Sequence, residues 1–418
     1  METELYPPEA YANAYTDVQG EAYPETYMEA APMQYASYNF ENTALELARA
    51  QWPNYADQHY LKGCQWSPDG TCLLTVIRGG GMNVFEMPSD LYSCEKVQQT
   101  RHIVPLNPAV SVPEAGLIYD YNWYPGMNSA NPATCCWLSS GHEGPIHLWD
   151  AFTGDLRCSY RGYNAVDELE SAMSVSFSAD GQHVFCGYKK NVKIFATGRP
   201  GREYVEYPIS HQVSCIVASQ AQPGVVAIGN VKNTVELVSQ SDGSFRNLCK
   251  LQGHKGGITT LAFSSDGFRL YSGARKDKEL ICWDLRVPGR PMFVLNRECN
   301  TNQKISIDLS ADNKWLVSGG SDGKVQVWNV HEQHYPEVHL QMNLHNDSCN
   351  GVSLHPYKPI LATASGQHHS IDPLHHTRSV PVYENALCMW WVGPQEENPD
   401  LIATIIQAAT NSSASSAI

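Results

Sequence analysis

His254, Ser272 and Asp277 bring together an imidazole, a hydroxyl and a carboxylate, the groups from which a nucleophilic hydrolase builds its relay. That chemistry needs the serine on an exposed Gly-x-Ser-x-Gly elbow, and Ser272 stands instead in Tyr271-Ser272-Gly273. A second cluster, His368-His369 with His375-His376, offers imidazoles of the kind that ligate zinc. No thiol lies near it, and the spacing is not that of one helix face, so a mobile surface loop is expected. Gly79-Gly80-Gly81 lacks the Gly-Lys-Ser/Thr that would make it a phosphate cradle, and reads as a turn. The chain is therefore expected to have no catalytic residue, no metal ligand and no cofactor.

The elements around these residues recur. A strand ending in Trp-Asp or a near equivalent appears as Ile146–Asp150, Leu280–Asp284 and Val325–Asn329. Weaker copies end at Phe85, Phe195, Val238 and Trp390. The intervals are 64, 46, 43, 45, 45 and 62 residues. A period of roughly 40–45 residues with four short strands per unit is the WD-repeat signature of a β-propeller. One blade cannot bury its own apolar faces, so seven must stack into a ring. Turns of one type punctuate them: Ser67-Pro68-Asp69-Gly70, Ser178-Ala179-Asp180-Gly181, Ser264-Ser265-Asp266-Gly267 and Ser310-Ala311-Asp312-Asn313. Within this period His254, Ser272, Asp277 and Trp283 take the positions of a structural tetrad, Asp orienting His and the indole N–H closing the chain. The expected fold is thus all-β, a seven-bladed WD-repeat propeller over 60–392. Residues 1–59 read as a disordered acidic, Tyr-rich leader, with a short helical stretch around Leu45–Ala50, and 393–418 as a disordered tail.

No run of 18 apolar residues exists, which excludes a membrane-spanning helix. Met1–Gly20 is acidic, unlike a secretory signal. Thirteen scattered cysteines without a Cys-x-x-Cys read as small buried hydrophobes in a reducing nucleus or cytosol.

The net charge of −15 argues against nucleic acid until its distribution is read. Residues 1–59 hold ten acids and one base, and 393–418 three acids and no base. Residues 151–304, by contrast, carry 19 Lys and Arg against 14 Asp and Glu. Six residues before the terminal anchor a typical blade has Asp, as at Asp277 and Asp322, and Glu143 substitutes in blade two. Blade three has Lys189 followed by Lys190, blade four has Lys232, and blade five inserts Arg275-Lys276 before its Asp. Lys255, Arg297 and Lys304 should reach the same face, beside the amides of Asn300, Asn302 and Gln303. Bases at this density attract phosphates, and amides can read exposed base edges of an RNA loop. Arg199, Arg202, Arg286 and Arg290 fall in third-to-fourth-strand turns on the opposite face. The same rim would also suit a protein-only adaptor gripping an acidic peptide.

Several phrases exceed what a propeller demands. They are Leu61-Lys62-Gly63-Cys64, Tyr119–Tyr124, Trp149–Arg157, Gly198–Arg202, Gly273–Asp277 running into Cys282–Arg286, Thr301–Lys304, and Asn350–Pro356 through Ala362–Gln367. Together, from about Leu61 to Trp391, they resemble the telomerase Cajal body protein family. The resemblance implies a non-enzymatic scaffold that recognises the CAB box of H/ACA small Cajal-body RNAs and retains them in nuclear Cajal bodies, with a cytoplasmic share. It also implies telomerase RNA as a ligand where that RNA has a CAB box, and dyskerin-containing particles, coilin and the survival-of-motor-neuron protein as partners. The leader departs from the family, being short and Tyr/Glu-rich, and the four-histidine loop is this chain's own.

Overall fold

Strands that are apolar on both faces must be covered on both, and here each sheet is covered by its neighbours in a ring. The structure, a computed structural model, describes residues 36–52, 59–114, 116–241, 244–331, 336–369 and 383–396. Seven sheets form the blades, antiparallel throughout except that Val104–Pro105 adds a parallel fifth strand to one of them. Blade five is typical: Ile258–Phe263 lies innermost, followed outward by Arg269–Ala274, Glu279–Asp284 and Pro291–Asn296. The core is distributed between blades, as where Trp66, Leu73 and Ile77 of blade one pack with Ile360, Leu387 and Trp391 of blade seven.

The innermost strands are also stitched from blade to blade. Asp120 and Asn122 of blade two accept from the amides of Val175 and Phe177 in blade three. Ser174 and Ser176 do the same for Ile216 and Ala218 in blade four, and Ser306 and Asp308 for Val352 and Leu354 in blade seven. Short polar side chains beside the channel thus satisfy amides that no ladder reaches.

The four Ser-x-Asp turns form as their residues require. Ser67 donates to Asp69 at 2.7 Å, and the left-handed position is taken by Gly70 (φ 73°), Gly181 (φ 68°), Gly267 (φ 72°) and Asn313 (φ 58°). Gly70 has a second reason: a Cβ there would lie 2.4 Å from the ring of His355. That buried imidazole links blade seven to blade one. Its Nδ1 accepts from the amides of Tyr357 and Lys358 (3.0 Å each), so its Nε2–H donates to the Gly70 carbonyl at 2.8 Å. Burial pushes its pKa down to about 4 from 6.5. As pH falls below 6.5 the unfolded chain takes up the proton first, so His355 should cost about 3 kcal/mol of stability by pH 4. Urea unfolding between pH 7 and 4 should show that loss, and His355→Gln should lack it.

The seventh blade corrects the expected boundaries. Its inner three strands are Cys349–Leu354, Ile360–Ser365 and Ala386–Trp391, and its fourth is Leu45–Gln51. The stretch expected to be helical is therefore a strand, and the ring begins before residue 60. Leu, Glu, Ala and Arg favour a helix locally, but pairing with Ala386–Trp391 and full burial of Leu47 and Ala48 decide otherwise. Ordered chain extends further: Phe40 packs edge-on against Trp315, and the Asn39 amide donates to the Val392 carbonyl at 2.8 Å. At the other end Gln395–Glu396 pairs with Val97–Gln98. The remaining leader, 1–35, the tail beyond 396, and His375-His376 lie outside the described residues. All thirteen cysteines are free, nine of them buried.

Candidate nucleic-acid interface

In an a–b–c–d antiparallel blade, the b–c turn and the connection to the next blade emerge at the same end. Blade five shows how tightly they are tied. The amide of Arg275 donates to the Gly257 carbonyl (3.0 Å) and that of Lys276 to the Thr301 carbonyl (3.0 Å). A Cβ on Gly256 would stand 2.0 Å from the Arg275 carbonyl, so only glycine admits this approach. Lys276 itself is held in the left-handed region at φ 50°. The expected tetrad anchors the same turn. His254 Nδ1 meets Asp277 at 3.0 Å and its Nε2 meets Ser272 at 2.8 Å, while the Trp283 indole donates to Ser272 at 2.8 Å. Asp277 also accepts from the Lys255 amide at 3.0 Å. Burial opposes charge on Asp277, but these donors hold its carboxyl below the usual range. All four groups are buried, so the set is structural.

Blade seven carries a second complete tetrad that sequence reading missed: His345, Thr363, Trp390 and, in place of Asp, Glu384. Blade six uses a variant in which Arg297 donates to Ser318 at 2.8 Å. Arg297, expected on the surface, is therefore 2% exposed and unavailable to a ligand. Gly319-Gly320-Ser321-Asp322-Gly323 has the spacing of a nucleophile elbow, yet it turns between two strands and opens no helix.

Arg275, Asn302, Gln303 and Lys304 converge on a cavity of about 530 Å³ at the channel mouth, together with Tyr60, Lys62, Tyr119 and Asp120. Gln303 is tied to the Gly366 carbonyl at 3.2 Å, whereas Asn302 is exposed. Lys304 reaches across the channel from blade six to Asp120 of blade two at 3.2 Å, and that carboxylate raises its pKa. Lys62 is held the opposite way: burial lowers its pKa to about 8, and its ammonium donates to the Ile118 carbonyl. Lys276, Lys189, Lys190 and Lys232 lie outside this cavity, exposed on the surrounding turns, and none has an ion-pair partner among the described residues. Lys255 is exposed but pairs with Glu279 at 3.2 Å. In the second basic set, Arg202 pairs with Asp167 and stacks on Tyr163, and Arg286 pairs with Asp284. Two of the four charges there are thus compensated.

Tyr60, Lys62, Tyr119 and Asp120 were not singled out from the sequence as site residues. The available signal was position: each opens, or immediately precedes, an innermost strand, where a side chain meets the channel mouth. Among the described residues no group of three or more His, Cys, Asp or Glu could hold a metal ion, and no helix is long and apolar enough to cross a membrane.

Seven four-stranded blades, buried His–Trp tetrads and a polar channel mouth define a WD-repeat β-propeller. Residues 245–284 and 291–329 match the family model described as WD domain, G-beta repeat. The Telomerase Cajal body protein 1 homolog of Drosophila melanogaster is 44% identical over 85% of this chain and 70% of its own length. Telomerase Cajal body protein 1 of Homo sapiens is 42% identical over 87% of the chain and 70% of its own length, and that of Bos taurus 41% identical over 85% and 69%. The chain belongs to the telomerase Cajal body protein 1 family. Neither the repeat family nor these relatives' names denote an enzyme.

Proposed function

We propose that the chain is an RNA-binding scaffold. Its channel-mouth face recognises the CAB-box loop of H/ACA small Cajal-body RNAs and retains them in Cajal bodies of the nucleus. Telomerase RNA is a further ligand where it carries the same box, and the H/ACA particle with dyskerin, coilin and the survival-of-motor-neuron protein are the protein partners. The observation that carries this reading is the convergence of Arg275, Asn302 and Gln303 at one mouth, with Lys276 tied to the same segment through Thr301. Uncompensated bases at Lys189, Lys190 and Lys232 surround it. Cations placed around the exposed amide of Asn302 suit a single-stranded loop, where phosphates supply affinity and unstacked bases supply identity.

Crosslinking in cells followed by sequencing of attached RNA should recover H/ACA-type RNAs. In vitro, Arg275→Glu with Lys276→Glu should weaken a CAB-box hairpin more than 100-fold and reduce the salt slope by about two, roughly one for each phosphate no longer neutralised. Thermal melting should be little changed. Undiminished RNA binding by the double variant overturns the placement of the site. Absence of RNA enrichment, with capture of an acidic peptide by the same turns, overturns the RNA reading in favour of a protein adaptor.

A further inference from the structure

The channel mouth has features that phosphate contacts do not use. Its lining carries two half-buried aromatic rings, Tyr60 and Tyr119, together with Lys62. Its floor is the Lys304–Asp120 pair, which also roofs a second, deeper space of about 370 Å³ in the channel. Asp120 is fixed from beneath, because one carboxylate oxygen accepts from the Ser174 hydroxyl and the Val175 amide. Its other oxygen meets Lys304. A hydrogen-bond acceptor and a donor therefore sit side by side, partly shielded from water. Arg275 and Asn302 line the same cavity.

The volume lies within the range of about 300–1,000 Å³ that encloses small ligands. Every nucleobase presents a flat face and an edge with neighbouring donor and acceptor atoms, so rings on the wall and an acceptor–donor pair on the floor suit it. Building on the RNA reading above, we infer that the mouth takes one unstacked nucleobase of the bound loop. The base stacks on Tyr119 or Tyr60 and sets its polar edge on the Lys304–Asp120 pair, while Arg275 holds an adjoining phosphate. Lys62 adds a further donor at the mouth, its pKa lowered by burial to about 8 but still above neutral pH.

The test uses the full chain and a synthetic CAB-box hairpin. In a set of variants, each loop nucleotide in turn is replaced by an abasic ribose that keeps its phosphate. One abasic position should weaken binding by about ten- to a hundredfold, the range of a single base–aromatic stack, and the others should change it little. Tyr119→Ala should cost the parent RNA a similar factor yet cost the sensitive abasic RNA nothing more. Tyr119→Phe, which keeps the ring, should stay within about twofold of wild type. Tyr60→Ala is measured in the same way, since either ring can be the platform. If every abasic RNA binds like the parent, or if neither tyrosine change is masked at any abasic position, the base pocket is overturned while RNA binding stands. If the parent hairpin does not bind the wild-type chain, the RNA reading falls and the pocket with it.

Discussion

A chain that starts at Trp52 is expected not to fold, whereas one spanning 36–396 should melt like the full-length protein. The physical reason is that Leu45–Gln51 closes the ring. Its register against Ala386–Trp391 runs from Leu45 opposite Trp391 to Gln51 opposite Ala386, with a bulge between Glu46 and Ala48. Removing it strips the fourth strand of blade seven, leaves Val104–Pro105 without its partner and uncovers Met389, Trp391 and Leu387, which pack with Leu47. Loss of one buried leucine side chain costs about 2–5 kcal/mol, and each cross-strand hydrogen bond contributes about 0.5–1.5 kcal/mol. Against a typical domain stability of about 5–15 kcal/mol, the sum is enough to unfold the chain. Circular dichroism and thermal melting of the two truncated chains decide the matter. A cooperative transition in the shorter one at the temperature of the longer one would refute ring closure by this strand. Leu47→Asp, which buries an unpaired charge, should reproduce the defect in the intact chain.

Glu384→Ala is a second substitution expected to be costly at the same junction. The Glu384 carboxylate accepts from His345 Nδ1 (3.2 Å), the Asn346 amide (2.6 Å) and Arg49 Nη1 (3.0 Å). It therefore joins the blade-seven tetrad to the ring-closing strand. Burial works against its charge, but the hydrogen bonds from His345 and Asn346 and the charges of His345 and Arg49 hold its pKa down to about 2 from 4.5. A carboxylate whose pKa is depressed on folding contributes stability that is fully present above pH 4.5 and lost as pH falls through 2. Removing it should lower stability by about 3 kcal/mol at pH 7, because three donors around it lose their acceptor. Urea midpoints at pH 7 and pH 3 provide the readout. The gap between wild type and variant should be widest at pH 7 and narrow at pH 3. Arg49→Ala should cost less, since Arg49 is partly exposed and its loss leaves the carboxylate with two donors. Equal stability of Glu384→Ala and wild type at pH 7 would remove this group from the closure.

Much of this architecture could be read from spacing. The Trp-Asp anchors, the Ser-x-Asp turns and the His254–Ser272–Asp277–Trp283 set are local patterns, and local geometry enforces them. Blade seven was harder. Its anchor at Trp390 was visible, but its fourth strand comes from the far end of the chain, and a helical propensity over Leu45–Ala50 concealed it. Glu384 was legible yet missed: it stands six residues before the Trp390 anchor, the offset of Asp277, Asp322 and Glu143, but a long insertion separates it from Thr363. At the candidate site, Arg275, Lys276, Asn302 and Gln303 stood out as departures from an acidic repeat position or as neighbours of one. Lys304 was also visible, but its pairing with Asp120 was not.

The repeat by itself determined the number of blades, the order of strands within the first six, and the end of each blade at which the basic turns emerge. Those properties follow from strand alternation and turn chemistry over a few residues. Only the tertiary structure decided which residues meet at the channel mouth, that Arg297 is buried, and that Lys304 spends its charge on Asp120. Lys304 and Asp120 are 184 residues apart and meet only when the ring closes, and Arg297 is buried by donating to Ile305 and Ser318 of its own blade, a contact no repeat position announces.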